Sequence, residues 1–269
     1  SVMLAALNTL GETVIKAKKS RDHTELMFKS LKLPIMIRKK KNYDLIKIKG
    51  KNKIPSLNYK IPSDISSSAF FIVLTALSKN SKLKIRNVNI NPSRIGIVHI
   101  LRKMGVRILL LNKKDYKGEK VADIVVESSK KLKAINCPSK LTSATIDEFL
   151  LLFLVAAKAQ GISYFKNLSE LNKKESPRLD WGSKILNEIG VRNIVTKNSI
   201  KIYGNPDLQV KNKIIIKKFL KDHRVFMTSV VAALVFGGEW QIHDKDSINT
   251  SFPSFLKKIN FLGAKTLTN

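Results

Sequence analysis

Four arginine residues are the strongest candidates for chemistry in this sequence, because each lies at the front of a segment with helical spacing. They occur in the stretches SRDHTE, NPSRIG, KKESPR and DHR, as Arg21, Arg94, Arg178 and Arg224. A guanidinium group can hold a carboxylate or a phosphate through two parallel hydrogen bonds, whereas an ammonium group cannot. We expect Arg178 and Arg224 to bind a small anion. Arg94 is expected to pair with a neighbouring carboxylate, and this ion pair should connect one repeat to another.

A lysine and a glutamate accompany this arginine pattern. Lys174 and Glu175 come just before Arg178, and Asp147 precedes an apolar run further upstream. A lysine beside a glutamate at a helix front can hold a phosphate and transfer a proton at the same place. Such a pair is common on protein surfaces, so it indicates a site only in combination with the arginines and the aspartate.

Three strongly apolar segments each follow an aspartate, namely Asp64, Asp147 or Asp222, with spacings of 83 and 75 residues. Aspartate is a favoured N-cap because its carboxylate accepts from free amide groups at a helix start. We expect this structural role for Asp64 and Asp222. Helix N-termini that converge on one face also form a site for phosphates or carboxylates, and the alternation of segments predicts such a face.

The elements that must position these residues form an internal repeat. The apolar helices alternate with four amphipathic segments that start at Arg21, Ser93, Ser176 and Thr250. Short β-rich stretches lie between the helices. Each unit therefore has the order strand, helix, strand, helix, strand, strand. Helices that are apolar on all sides should be buried. The sequence predicts an α/β fold with helices inside and sheets outside.

Glycines mark the ends of three amphipathic segments. Gly105, Gly190 and Gly263 stand where a helix C-terminus favours a left-handed residue, whereas the first segment has no such glycine. No linker rich in glycine or serine separates the units. We predict a domain boundary just before Asp64, where Pro62 restricts the backbone.

The net charge of +30 suggests a nucleic acid or an anionic membrane as a partner. However, the 41 lysines and 9 arginines are spread over the chain, and no aromatic residues are interleaved with them. This pattern indicates a surface that is generally rich in lysine and not a binding site for nucleic acid. We therefore expect neither partner. No apolar run reaches the roughly 20 residues of a membrane-spanning helix. Cys137 is the single cysteine, so an intrachain disulfide is impossible and a reducing cytoplasm is expected.

Metal and nucleotide motifs are not found in the sequence. His23 and His223 lie in separate clusters, there is no HExxH, and neither a P-loop nor a GxGxxG occurs. We expect no metal and no cofactor.

Eight collinear motifs resemble those of the EPSP synthase family (3-phosphoshikimate 1-carboxyvinyltransferases). They are SRDHTELM (20–27), IPSDISSSAFFIVLTAL (61–77), NINPSRIGIVHILRKMGV (89–106), GEKVADIVVESS (118–129), TIDEFLLLFLVAAKAQG (145–161), LNKKESPRL (171–179), DHRVFM (222–227) and TSFPSFLKKINFLGA (250–264). The resemblance implies an inside-out α/β barrel built from βαβαββ repeats with buried helices, arranged as two lobes of three repeats. Residues 1–62 would form the C-terminal part of one lobe, and residues 63–269 most of the second.

The resemblance also implies a reaction in the shikimate pathway of aromatic amino acid biosynthesis. The 5-hydroxyl of shikimate 3-phosphate adds to phosphoenolpyruvate, and phosphate leaves. By position, Asp147 resembles the base that takes the hydroxyl proton, and Glu175 the acid–base group near the phosphoenolpyruvate methylene. Arg21 and Lys174 resemble contacts to shikimate 3-phosphate. Arg178 and Arg224 resemble the pair that holds phosphoenolpyruvate. The full-length enzyme would be a cytoplasmic monomer.

Several positions depart from the family pattern. Asn172 and Lys173 replace the usual Arg and Val, and Pro177 replaces an Asp, which predicts a loosened Arg178. Ser63 replaces a Gly, which predicts backbone strain. The family's upstream substrate motifs are absent, and the first residues read as the middle of a helix. We therefore expect an N-terminally truncated enzyme that is inactive alone.

Two alternatives remain open at this stage. The sister transferase that acts on a UDP-amino sugar shares the fold but not the SRDHTE and KES-x-R motifs. The second alternative is a non-catalytic module that binds nucleic acid through its charge, for which retention on DNA should depend steeply on salt.

Overall fold

The computed structural model describes residues 1–51 and 53–267, and its elements follow the repeat. The helices are α1 (Val2–Asn8), α2 (His23–Ser30), α3 (Ile65–Leu77), α4 (Gly96–Lys103), α5 (Phe149–Lys158), α6 (Arg178–Glu188), α7 (His223–Phe236) and α8 (Phe255–Phe261). The strands are β1 (Glu12–Lys18), β2 (Ile35–Lys39), β3 (Tyr43–Lys49), β4 (Lys82–Asn89), β5 (Ile108–Tyr116), β6 (Glu119–Glu127), β7 (Gly161–Lys166), β8 (Asn193–Thr196), β9 (Ser199–Gly204), β10 (Lys213–Ile216) and β11 (Glu239–Ile242).

Three sheets share one topology, in which the last strand of each set lies in the centre. Their strand orders are β1-β3-β2, β4-β6-β5 and β7-β9-β8, and all neighbours are antiparallel. Each central strand carries a buried isoleucine (Ile46, Ile124 or Ile200) opposite an apolar residue on both neighbours. The shared register therefore directs one apolar face of every sheet towards the helices.

The first strand of the predicted unit is shorter than expected in two units. Ser63 forms a parallel bridge to Val88, while residues 133 and 136 form parallel bridges to residues 160 and 164. Among residues 53–267, a full strand occurs at this position only before α7, where β10 runs parallel to β11. The predicted order of elements is thus confirmed between residues 63 and 204, with the first strand reduced to isolated bridges.

The helices α3, α5 and α7 form the centre of the larger part of the structure. They contact one another, and most of their residues are buried. The composition of these helices explains their burial, because a helix that is apolar on every side has no polar face that can contact water. The predicted arrangement, with helices inside and sheets outside, is confirmed. Within the residues described, no helix is both long and apolar enough to cross a lipid bilayer.

Two separate clusters of buried apolar side chains are present. The smaller one contains residues of α1, α2, β3 and the loop between α2 and β2, such as Leu7, Phe28 and Ile48. The larger one extends from Ile65 to Ile259 and surrounds the central helices. The boundary predicted before Asp64 falls between the clusters, and the division into two lobes stays a prediction.

The helix ends agree with the sequence more closely than the helix starts. Gly105, Gly190 and Gly263 follow α4, α6 and α8 with φ of 94°, 79° and 101°, so their predicted C-terminal role is confirmed. In the segment without a glycine, Lys32 takes the left-handed conformation after α2. The amphipathic helices begin a few residues later than their segments predict, because polar turns precede them.

The predicted strain at Ser63 is wrong. Ser63 is not among the residues with positive φ, and its hydroxyl donates to the backbone oxygen of Arg86. Its bridge to Val88 keeps it alongside β4, in a conformation that any residue adopts.

Candidate active site

The N-termini of the three central helices meet at one place. Asp64 caps α3 by accepting from the Ser67 amide at 2.8 Å, and Asp222 caps α7 by accepting from the Arg224 amide at 2.9 Å. These structural roles were predicted and are confirmed. The start of α5 lies between the two, because Glu148 accepts from Ser66 of α3 and lies 3.8 Å from the Arg224 guanidinium of α7.

Helix α5 differs from the other two in its start. The sequence pattern suggested that Asp147 opens this helix, but α5 begins at Phe149 with Glu148 at the N-cap position and no side-chain cap. Two short 3-10 turns, residues 139–141 and 143–145, lead into it. Asp147 is therefore free of a capping role, and its carboxylate is available to the surrounding cations.

Four cationic side chains surround the carboxylate of Asp147. The shortest contact is from Arg21 Nη2 to Oδ2 at 2.6 Å. Lys174 Nζ and Arg178 Nη1 lie 3.4 and 3.5 Å from Oδ1. Arg224 Nη2 lies 4.0 Å from Oδ2, and its Nη1 donates to the Asp147 backbone oxygen at 2.8 Å. All of these residues were named from the sequence, and the structure brings them together.

These cations determine the protonation of Asp147. Partial burial alone would raise the pKa of this carboxyl group, but the charge of Arg224, the hydrogen bond from Arg21 and the charge of Lys174 outweigh it. The pKa of Asp147 is held well below its usual range. The group is thus ionised in the ligand-free molecule, and its proton affinity depends on how strongly the cations face it.

Arg178 and Asp222 form a buried ion pair at the base of the site. Their side chains are 2% and 0% exposed, and Arg178 Nε donates to Asp222 Oδ2 at 2.8 Å. Ser176 donates to the same oxygen. Burial would raise the pKa of Asp222, but the bonds from Arg178 and Ser176 lower it. The predicted loosening of Arg178 by Pro177 is wrong, because Asp222 fixes the guanidinium from the other side.

Glu175 lies at the rim of the site. Its side chain is 54% exposed and accepts a hydrogen bond from Arg178 Nη2. A short 3-10 helix, Ser169–Lys173, and Pro177 at the start of α6 position this segment. Arg178 therefore connects the exposed Glu175 with the buried Asp222 and the central Asp147.

The segment that carries Arg21 is attached to the larger cluster by polar contacts. His23 Nδ1 pairs with Glu119 on β6, and Asp22 accepts from the Asn91 side chain at 2.9 Å. These contacts hold Arg21 over Asp147, from which it is separated by 126 residues in sequence. Arg94 pairs with Asp64 at 2.9 Å, so its predicted tying role is confirmed.

Sequence reasoning assigned no role to two residues at this site. Glu148 is buried behind Asp147, and Ser66 donates to it. A signal for Glu148 was present, because it directly follows Asp147 at the start of an apolar run. In residues 1–51 and 53–267, no group of three or more His, Cys, Asp or Glu side chains could hold a metal ion.

Comparisons with known proteins place this chain in a family. The model of EPSP synthase (3-phosphoshikimate 1-carboxyvinyltransferase) matches residues 1–259. The 3-phosphoshikimate 1-carboxyvinyltransferase of Ruthia magnifica subsp. Calyptogena magnifica is 37% identical over 263 residues, which cover 97% of this chain and 59% of the relative. That of Hydrogenovibrio crunogenus is also 37% identical, with coverages of 97% and 58%.

Solved structures give the same result. An EPSP synthase from Acinetobacter baumannii matches with a TM-score of 0.88 and 31% identity, over 100% of this chain and 60% of that one. The enolpyruvyl transferase NikO from Streptomyces tendae, at 17% identity and a TM-score of 0.72, shares the fold over 97% of this chain and 58% of that one. The chain spans about three-fifths of the length of these relatives. With a family match over nearly its whole length, the chain belongs to the EPSP synthase family.

Proposed function

We propose that the protein represented by this chain transfers the enolpyruvyl group of phosphoenolpyruvate to the 5-hydroxyl of shikimate 3-phosphate and releases phosphate. The observation that carries this proposal is the cluster of four cations around one carboxylate where three buried helices begin. Helix N-termini and arginines together suit two phosphorylated anions. Since the chain covers only part of the relatives' length, the activity is proposed for the complete enzyme.

Each side chain of the cluster has a proposed role in binding. Arg224 and Arg178 hold the carboxylate and phosphate of phosphoenolpyruvate, with Arg178 fixed in orientation by Asp222. Arg21 and Lys174 contact shikimate 3-phosphate. Both anions bind at cations that otherwise face Asp147, so they compete with its carboxylate.

Proton transfer is assigned to two carboxylates, the mostly buried Asp147 and the half-exposed Glu175. Asp147 takes the proton of the 5-hydroxyl group as the hydroxyl oxygen bonds to C2 of phosphoenolpyruvate. At the same time, Glu175 delivers a proton to the methylene carbon. Glu175 then recovers a proton from that carbon as the bond between C2 and the phosphate oxygen breaks, and the proton held by Asp147 passes to the departing phosphate. When the substrate anions neutralise Arg21, Lys174 and Arg224, the proton affinity of Asp147 rises, which suits a general base.

The test is phosphate release from phosphoenolpyruvate and shikimate 3-phosphate. The assay uses this chain co-expressed with the part of the Ruthia magnifica relative that it does not match. We expect Asp147→Asn and Glu175→Gln to lower kcat by about 10²- to 10⁴-fold with little change in KM. Glu188→Gln on the exposed side of α6 is the control. Its kcat and KM should equal those of the co-expressed enzyme without substitutions, which is called the parent below.

Two outcomes would contradict the proposal. One is that the parent releases no phosphate, and the other is that it does so only when a UDP-amino sugar replaces shikimate 3-phosphate. Unchanged turnover in Asp147→Asn would remove the assignment of that residue alone.

We further propose that residues 1–62 and 63–269 belong to different lobes and that the complete enzyme is a cytoplasmic monomer without nucleic-acid or membrane partners. The two apolar clusters support the division into lobes. The cytoplasmic location is supported by Cys137, a buried free thiol whose pKa is raised to about 11 by burial.

A further inference from the structure

A buried carboxyl group beside the proposed substrate site has no role in the reaction described above. Glu148 is 3% exposed, and its side chain caps no helix although it occupies the N-cap position of α5. A buried acid is costly unless other groups compensate its charge. Its contacts therefore indicate what it does.

Glu148 is part of a continuous polar chain across the starts of the central helices. Its Oε1 accepts from Ser66 Oγ, and the same hydroxyl oxygen accepts from Arg94 Nη2 at 2.7 Å. Arg94 in turn pairs with Asp64, the cap of α3. One serine hydroxyl can make both bonds, because it has one proton to donate and lone pairs to accept.

The other side of Glu148 faces Arg224. Arg224 Nη1 lies 3.8 Å from Glu148 Oε1 and donates to the backbone oxygen of Asp147. The guanidinium is therefore held between two adjacent acids, with Glu148 behind it and the Asp147 carboxylate 4.0 Å from its Nη2. An anion that binds Arg224 must share the guanidinium charge with both.

We propose that Glu148 is a positioning residue for Arg224 and that it takes up a proton when a dianion binds there. The inference rests on the proposed function only in that Arg224 binds an anion. The anion withdraws from Glu148 part of the positive charge that compensates its burial, and a buried carboxylate that loses its counter-charge binds a proton instead.

The groups that face Glu148 from each neighbouring element support this response. They are Arg224 on α7, Ser66 on α3, Arg94 before α4 and Asp147 before α5. Burial raises the pKa of Glu148 above its ordinary value, Arg224, Ser66 and Arg94 oppose this, and Asp147 adds to it. Weakening the Arg224 contribution therefore raises the pKa further.

The experiment measures sulfate binding to the 269-residue chain by titration calorimetry, in two buffers that differ in ionisation enthalpy. Sulfate is a dianion that does not titrate near neutral pH, so any proton uptake belongs to the protein. We expect uptake of up to about one proton per sulfate, and an affinity that falls by up to about tenfold per pH unit as pH rises.

Three variants separate the contributions. Glu148→Gln keeps a partner for Ser66, and it should bind sulfate with little proton uptake and a flat pH profile. Asp147→Asn should retain the uptake if Glu148 is its source. Ser66→Ala removes a bond that favours the charged form, so the pH of greatest uptake should move upwards. Far-ultraviolet circular dichroism and urea midpoints establish that each variant is folded.

The result distinguishes this inference from the proposed function. Equal proton uptake in Glu148→Gln and the parent would overturn it, as would uptake that disappears only in Asp147→Asn. Failure of the parent chain to bind sulfate would overturn it as well. Sulfate-linked uptake that is lost in Glu148→Gln, in an enzyme that releases no phosphate from phosphoenolpyruvate, would support the inference and refute the proposed function.

Discussion

The capping aspartates of α3 and α7 provide a matched test of how burial controls the value of an ion pair. Both accept from a helix amide and both pair with an arginine, Asp64 with Arg94 at 2.9 Å and Asp222 with Arg178 at 2.8 Å. They differ in environment, because the side chain of Asp64 is 43% exposed and that of Asp222 is fully buried. Asparagine caps a helix about as well as aspartate, so Asp→Asn removes mainly the charge.

The expected losses differ several-fold. Asp222→Asn removes the fully buried carboxylate that pairs with Arg178 and leaves the buried guanidinium with the more exposed Glu175 and Asp147, which costs about 3–5 kcal/mol. Asp64→Asn breaks a pair that water already screens, at a cost of about 0–1 kcal/mol. With a urea m-value of roughly 3 kcal/mol/M, the larger loss lowers the midpoint by roughly 1–1.7 M.

Urea unfolding at pH 7, followed by circular dichroism, measures both variants. A double variant, Asp222→Asn with Arg178→Met, should lose no more stability than Asp222→Asn, because the buried guanidinium charge that has lost its main partner is gone. Equal midpoints for Asp64→Asn and Asp222→Asn would refute the reasoning. So would a double variant in which the two losses add.

Three further predictions concern other parts of the chain. Gly204→Ala should lower the free energy of unfolding in urea by about 1–3 kcal/mol, because a Cβ there would lie 2.0 Å from the backbone oxygen of Ala159. An unchanged midpoint would contradict this and show that α5 can shift. Burial raises the pKa of the Cys137 thiol to about 11. This thiol should therefore react with an uncharged maleimide at pH 8 far more slowly in the folded protein than in urea, and equal rates would contradict its burial. The pKa of Asp123 is lowered to about 2, first by the Asn87 amide. Its contribution to stability should therefore be complete above pH 4 and lost as pH falls towards 2, and a carboxyl titration near 3.8 by nuclear magnetic resonance would disprove this.

The sequence was sufficient to predict the order of the elements and the membership of the cation cluster. Periodicity separates α5, which is apolar up to its last residue, from the amphipathic α6. Polar residues at helix starts must share an end of the molecule when the units repeat. The gathering of Arg21 with Asp147 was predicted only through the family resemblance. No local rule connects two residues that are 126 positions apart.

Other features depend on tertiary contacts that a single sequence does not encode locally. The burial of Asp222 against Arg178 follows from how α6 meets α7. The link from Ser66 to Glu148 likewise requires α3 and α5 to be docked. The first strand is reduced to a bridge between Ser63 and Val88 of β4, a tertiary contact that strand propensity does not report.

The convergence of three helix starts also has a consequence for how the protein folds. Each start is supplied by a different unit of the chain, at residues 64, 148 and 222, and Arg21 comes from a fourth stretch. Contacts between residues so distant in sequence form late, after loop-closure entropy has been overcome. A chain with one unit undocked has no complete cation cluster. Dianions should therefore stabilise only the fully assembled molecule, which makes them a selective probe for the last step of folding.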